Sequence, residues 1–165
     1  MTTTPKNTVN WFKKAVPNPT AKNLRVQLGC HLEEVSEMFE AINVEFKNPY
    51  VVNMWKHLGG CIYQMGEDLM VGRAFISGID APELLDALCD QQVTGVGVAH
   101  MLGMDIELGM QKVNASNWSK FDADGNPIFD ANGKIKKGPD YFQPDLFDCI
   151  PPNDRMVDVL EWWMF

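Results

Sequence analysis

The sequence is short of positive charge. Its 14 Lys and Arg face 22 Asp and Glu, a net charge of −8. That balance argues against a nucleic-acid partner, because affinity for a phosphate backbone comes mainly from Lys and Arg. Histidine is scarce as well, with 3 in the chain. Three residues before His31, His57 and His100 stand Leu28, Met54 and Gly97, so the Glu-x-x-His motif of a di-iron carboxylate bundle is absent. Cys30, Cys61, Cys89 and Cys149 form no CxxC and no Cys/His pair at zinc spacing. Reduced thiols are expected, with neither a structural zinc nor a redox pair. No apolar run reaches the roughly 18 residues that span a bilayer, and the N-terminus has no apolar signal core. These absences lead us to expect a soluble, cytoplasmic protein with no membrane partner.

What is present is enough for a core. The 165 residues are 45% hydrophobic, with 5 Trp and 9 Phe, and are expected to form a single all-α domain over 1–165, a bundle of about four to six helices. The segment "TVNWFKKAV" predicts a short amphipathic helix ended by "PNP". Thr20 then caps a long helix through about Phe46. A glycine-bearing helix follows from about Val51 to Ile76, its apolar residues recurring at three- and four-residue steps. Asp80, Pro82 and Glu83 mark the start of a helix from about Ala81 to Leu102, and another runs from about Asp105 to Ser116. In "KFDADGNPIFDANGKIKKGPDY" the DG and NG pairs punctuate short extended runs, as in a hairpin or flap. An apolar tail, 147–165, is expected to dock on the domain or on another subunit.

The acidic residues are not spread evenly. On the second helix Glu33, Glu34, Glu37 and Glu40 fall within about a third of the circumference. On the fourth, Glu83, Asp86 and Asp90 share a face, with Leu84, Leu85 and Leu88 expected to be core on another side. Like charges one turn apart cost about 0.2–0.5 kcal/mol per pair on an exposed helix. Oxygen-only ligand sets suit hard cations such as Mg²⁺, which would offset that cost.

Taken in order, "EEVSE", "ELLD", "SNWSK" and "KGPDY" resemble the all-alpha nucleoside triphosphate pyrophosphohydrolases, the MazG-like and phosphoribosyl-ATP-pyrophosphohydrolase-like proteins. The small single-domain forms of phages and bacteria are the most similar, and the resemblance covers about Arg25 to Leu146. It implies a homodimer or homotetramer that cleaves a nucleoside triphosphate to the monophosphate and pyrophosphate. Deoxynucleotides such as dUTP, dCTP or dGTP are the implied substrates, and the host cytoplasm is the compartment if the chain is phage-encoded. Glu34, Glu37, Glu83 and Asp86 match the Mg²⁺ ligands, Mn²⁺ being able to substitute, and Asp90 is a further candidate one turn on. Glu33 matches a carboxylate that helps to hold metal or activates water. Asn117, Lys120, Lys137 and Tyr141 match loop residues near the phosphates, and Lys120 is also a candidate catalytic residue.

In one respect the chain departs from that pattern. The interval between Glu37 and Glu83 is wider than in the family and holds the glycine-bearing helix, an addition that could shape the base pocket or a subunit contact. Two other functions compete with the reading. One is a phosphoribosyl-ATP pyrophosphatase, and the other is a non-catalytic helical protein whose acidic face meets a basic partner.

Overall fold

The computed structural model of the chain describes residues 4–44, 46–48, 51 and 54–152. The described residues are all-helical, as the patterning predicts, with α1 Thr4–Ala15, α2 Ala21–Ala41, α3 Met54–Val71, α4 Ala81–Met101 and α5 Ile106–Trp118, then a 3₁₀ turn at Phe147–Cys149. The expected hairpin is reduced to one antiparallel bridge, Phe129 with Ile135. Of the apolar tail, 153–165 lies outside the described residues. None of the described helices is long and apolar enough to cross a membrane. Two compact units emerge, one of 16–77 with 129–136, the other of 4–15, 78–128 and 137–152.

In the first unit α2 and α3 pack backbone to backbone. A Cβ added at Gly66 would stand 2.9 Å from the Gly29 carbonyl oxygen, and one at Gly29 would stand 2.7 Å from that of Gly66. Only glycine permits so close an approach. Two turns along the same seam, buried Ser36 donates its hydroxyl to the Gly59 carbonyl at 2.9 Å. The Arg25 guanidinium reaches across to the carbonyls of Leu69 and Met70.

The ends of both helices differ from the expected ones, for local reasons. α2 stops at Ala41, before Phe46, where Ile42 turns extended. There the Trp55 indole donates to the carbonyls of Phe39 at 2.8 Å and Ile42 at 3.0 Å, taking up groups that a longer helix would have used. α3 stops at Val71, before Ile76, because Gly72 adopts φ +84°. The amide of Arg73 then bonds back to the Asp68 carbonyl at 2.8 Å, as a left-handed glycine cap requires.

The second unit rests on α1 against α5. Trp11, Ala15 and Phe121 are buried there with Asn114 and Ser116. Thr8 donates to the Asn114 side chain at 2.9 Å, and the Trp118 indole to Asn7 at 3.0 Å. Asp105 caps α5 by accepting from the Leu108 amide at 2.9 Å. Asp148 pairs with Lys112, which ties the 3₁₀ turn to the same helix.

α4 requires a correction. Leu84, Leu85 and Leu88, expected in the core, are exposed by 39%, 65% and 37%. Of α4 only Ala99, near its C-terminal end, is buried. An apolar stripe records what a helix is able to bury, and the first turns of α4 leave theirs exposed.

Two glycines of α3 separate the packing effect from helix propensity. Gly66→Ala should lower the melting temperature, with a loss of about 1–3 kcal/mol from overpacking. Gly60 meets nothing within 4 Å, and Gly60→Ala should gain up to about 1 kcal/mol of helix propensity. Thermal unfolding followed by far-UV circular dichroism checks the pair, and equal shifts would contradict the close crossing.

Candidate functional site

The expected site residues divide between the two units. Glu33, Glu34, Glu37 and Glu40 lie on α2, and the cap of that helix fixes their register. Thr20 Oγ1 accepts from the Asn23 amide at 3.3 Å, while the Thr20 amide donates to the Asn23 side chain at 3.0 Å. Glu34, Glu37 and Glu40 are exposed, whereas the Glu33 side chain is only 18% exposed and accepts from Lys134 Nζ at 2.5 Å.

Lys134 reaches Glu33 from a rigid turn. The Asp130 carboxylate accepts from the amides of Asn132, Gly133 and Lys134 at 2.9, 2.8 and 2.9 Å. Gly133 completes that turn at φ +95°. Although partial burial works in the other direction, these amide bonds hold the Asp130 carboxyl below its ordinary range. Burial likewise disfavours the Lys134 ammonium. The hydrogen bond to Glu33, with the nearby Cys30 and the charges of Glu33 and Glu67, nevertheless raises it above the usual lysine value. Burial pushes the Cys30 thiol up, away from reactivity.

Glu83, Asp86 and Asp90 lie on α4, all exposed. The Asp80 side chain starts that helix by accepting from the Glu83 amide at 3.3 Å. Glu34 with Glu37, and Glu83 with Asp86, are each two carboxylates one turn apart on an open helix face. Their donor sets are all oxygen, which fits Mg²⁺ or Mn²⁺. Among the described residues no three His, Cys, Asp or Glu side chains gather as a metal-holding group. The sequence reading overlooked one pairing, Cys61 Sγ at 3.6 Å from His57 Nε2, one turn apart on α3.

The four phosphate candidates, by contrast, lie on two chain segments that pack against each other at the C-terminal end of α5. The Asn117 carbonyl accepts from the Trp11 indole at 2.7 Å, and Lys120 Nζ lies 6.0 Å from the Trp11 ring centre. Lys137 Nζ lies 4.7 Å from the Tyr141 ring centre. A Cβ at Gly138 would stand 2.6 Å from the carbonyl oxygens of both Lys120 and Phe121, so the segment carrying Lys137 lies directly on the one carrying Lys120. Ser116 and Ser119 clamp it further, the Ser116 hydroxyl donating to the Phe142 carbonyl at 2.7 Å and Ser119 Oγ accepting from the Phe142 amide at 3.2 Å. Among the described residues no carboxylate pairs with Lys120 or Lys137.

Trp11, Glu67 and the Lys134 ion pair were missed in the sequence as parts of these arrangements. Each acts across a long stretch of chain, and no local spacing signals it. Comparison of the chain with protein-family models, with curated proteins and with solved structures finds no match in any of the three.

The Asp130 turn carries a pH signature. A carboxyl depressed in the folded state stabilises it above the unfolded value, near the ordinary 3.8, and that contribution is lost as pH falls through the depressed folded value. The amide resonances of Asn132, Gly133 and Lys134 should therefore shift together in an acid titration, with a common midpoint below 3.8. Independent midpoints at the ordinary value would mean that Asp130 does not hold the turn.

Proposed function

We propose that the protein is a metal-dependent nucleoside triphosphate pyrophosphohydrolase, converting a (deoxy)nucleoside triphosphate and water to the monophosphate and pyrophosphate. The observation that carries this reading is the end of α5. There the segment that carries Asn117 and Lys120 packs on the one that carries Lys137 and Tyr141, and two ammonium groups lie near aromatic rings with no carboxylate partner among the described residues. A ring holds an ammonium in place without neutralising it, so the charge stays available to an anion. Lys120 and Lys137 bind phosphate oxygens in this proposal. Gly138 keeps their two segments in register, and Trp11 fixes the helix end that presents Asn117.

Carboxylates supply the rest of the chemistry. The pairs Glu34/Glu37 and Glu83/Asp86 are the Mg²⁺ ligands of the proposal, with Asp90 as an addition, and Glu33 is the base for water. Bound Mg²⁺ would neutralise charge on the phosphoryl oxygens and lower the pKa of coordinated water. Deoxynucleotides such as dUTP, dCTP and dGTP are the proposed substrates, in the control of nucleotide pools. The proposed assembly is a homodimer or homotetramer. Leu85 and Val93 of α4, 65% and 68% exposed, are the kind of surface that self-association covers.

A panel of nucleoside triphosphates assayed with Mg²⁺ or Mn²⁺ should release pyrophosphate. Orthophosphate with a diphosphate as the only nucleotide product would overturn the proposal. Lys120→Ala should cut turnover at least about tenfold, the loss expected when a charge-assisted contact to phosphate is removed, with little change in melting temperature. Glu37→Gln should hold or raise the melting temperature in chelator by relieving repulsion, while abolishing hydrolysis. Metal should then stabilise the parent by about 2.7 kcal/mol at a hundredfold excess over Kd, and the variant by much less. Identical responses of parent and variant to metal would remove the carboxylates from the site.

A further inference from the structure

The exposed side chains of α4 are not scattered. At about 100° per residue, Leu85, Cys89, Val93, Val96 and His100 fall on one stripe within about a quarter of the circumference, and all five are exposed. Where that stripe ends, Val96 and His100 join Met104, Asp105, Ile106 and Glu107 around an open hollow of about 520 Å³ at the corner between α4 and α5. Its floor of Val96, Met104 and Ile106 is apolar, and Asp105 and Glu107 make its rim acidic. Protein interiors are close-packed, so an apolar hollow of this size is a place for an occupant.

The chain itself leads there. Buried Cys149 accepts from the Asp105 amide at 2.8 Å through its carbonyl, and Asp148 pairs with Lys112. A Cβ at Gly103 would stand 3.7 Å from Pro151 Cγ, so the described chain ends against the wall of the hollow. The 13 residues that follow, 153–165, are NDRMVDVLEWWMF, with Trp162, Trp163 and Phe165 among their apolar side chains. Arg155 is the one cation of that segment. Three residues past Pro152, it stays within about 11 Å of it, in reach of the acidic rim.

We propose that 153–165 of the same chain occupies this hollow, with its tryptophans against Val96, Met104 and Ile106 and with Arg155 at the rim of Asp105 and Glu107. The proposal does not depend on the hydrolase reading. Tethered at Pro152, the segment meets the hollow at an effective concentration of about millimolar order, well above that of a second copy in dilute solution. Extended, it spans at most about 47 Å, more than the roughly 32 Å of α4, so reach does not limit it. The hollow stops short of Leu85 and Val93, which stay open to the self-association proposed above.

Fluorotryptophan incorporated throughout the chain gives each indole a fluorine resonance, and Trp→Phe substitutions assign Trp162 and Trp163. In the parent protein both should show the small shift of a buried ring on exchange of light for heavy water. Val96→Asp puts a charge into the hollow at a half-exposed position. It should raise the isotope shift of Trp162 and Trp163 to that of a solvated ring, while buried Trp11 keeps its value. Should Val96→Asp fold poorly, the chain ending at Pro152 should bind an apolar dye severalfold more strongly than the parent, and the free peptide 153–165 should displace the dye. Labelled parent refolded with an excess of unlabelled Val96→Asp chain should keep its protection, because each labelled segment still finds the intact hollow of its own chain. Protection lost in that mixture would give the hollow to the segment of a second copy and overturn the proposal. Solvated rings in the parent, rings indifferent to Val96→Asp, or a shortened chain that binds dye no better than the parent would overturn it equally.

Discussion

The contact between the backbones of Gly29 and Gly66 sets the conditions for the rest of the α2/α3 unit. Side chains normally keep helix axes about 8–10 Å apart, and removing them at the crossing lets the carbonyls themselves become the surface. The consequences follow along the seam. Met70 fills the space beside Gly29, and Ser36 finds the Gly59 carbonyl as a partner. Glu33 and Glu67 lie beside the crossing and cannot withdraw from it, so a lysine from a distant turn becomes part of the packing.

The α1/α4/α5 unit handles charge in another way. Lys14 lies 5.9 Å from the Trp118 ring centre and 5.3 Å from that of Phe121, while Lys120 lies over Trp11 and Lys137 over Tyr141. Each such contact is worth about 0.5–1 kcal/mol at an exposed site, which favours the ring without neutralising the charge. The lysine of an ion pair is spent, whereas a lysine on a ring is held in reserve. That difference separates Lys134, a counter-ion, from Lys120 and Lys137, which remain able to meet an anion.

How much of this was legible follows from the range of each interaction. Thr20, Asp80 and Asp105 cap their helices within a few residues, so the starts of α2, α4 and α5 could be read directly. The ends were harder. Gly72 stops α3 through one backbone angle, which is indistinguishable in sequence from the glycines inside the same helix, and α2 ends where Trp55, on another helix, reaches its carbonyls. The pairing of the segment with Asn117 and Lys120 and the segment with Lys137 and Tyr141 was legible only as motifs in order. Their geometry depends on Gly138 lying against Lys120 and Phe121, a contact with no periodic signature. For α4 the pattern showed an apolar stripe correctly and misplaced it in the core, because the missing quantity was the partner.

Acidic residues in this chain also differ in what they are free to do, and the backbone around them decides it. "DADGN" and "DANGK" place Asp122 and Asp130 at the start of turns whose amides point inward. Asp122 accepts from the amides of Asp124 and Asn126 at 3.0 and 2.7 Å, much as Asp130 accepts from its own turn. The Asn126 amide foremost, against slight burial, holds the Asp122 carboxyl below its ordinary range. A carboxylate so satisfied has little to offer a cation. Inside α2 the situation is reversed, because past the first turn every helical amide is committed to the carbonyl four residues back. Glu33, Glu34 and Glu37 therefore cannot be neutralised by their own backbone, and only water, a basic side chain or a bound cation remains. Glu33 has taken the basic side chain, which leaves the exposed Glu37 as the α2 carboxylate whose behaviour in metal reports most directly on what that face is for.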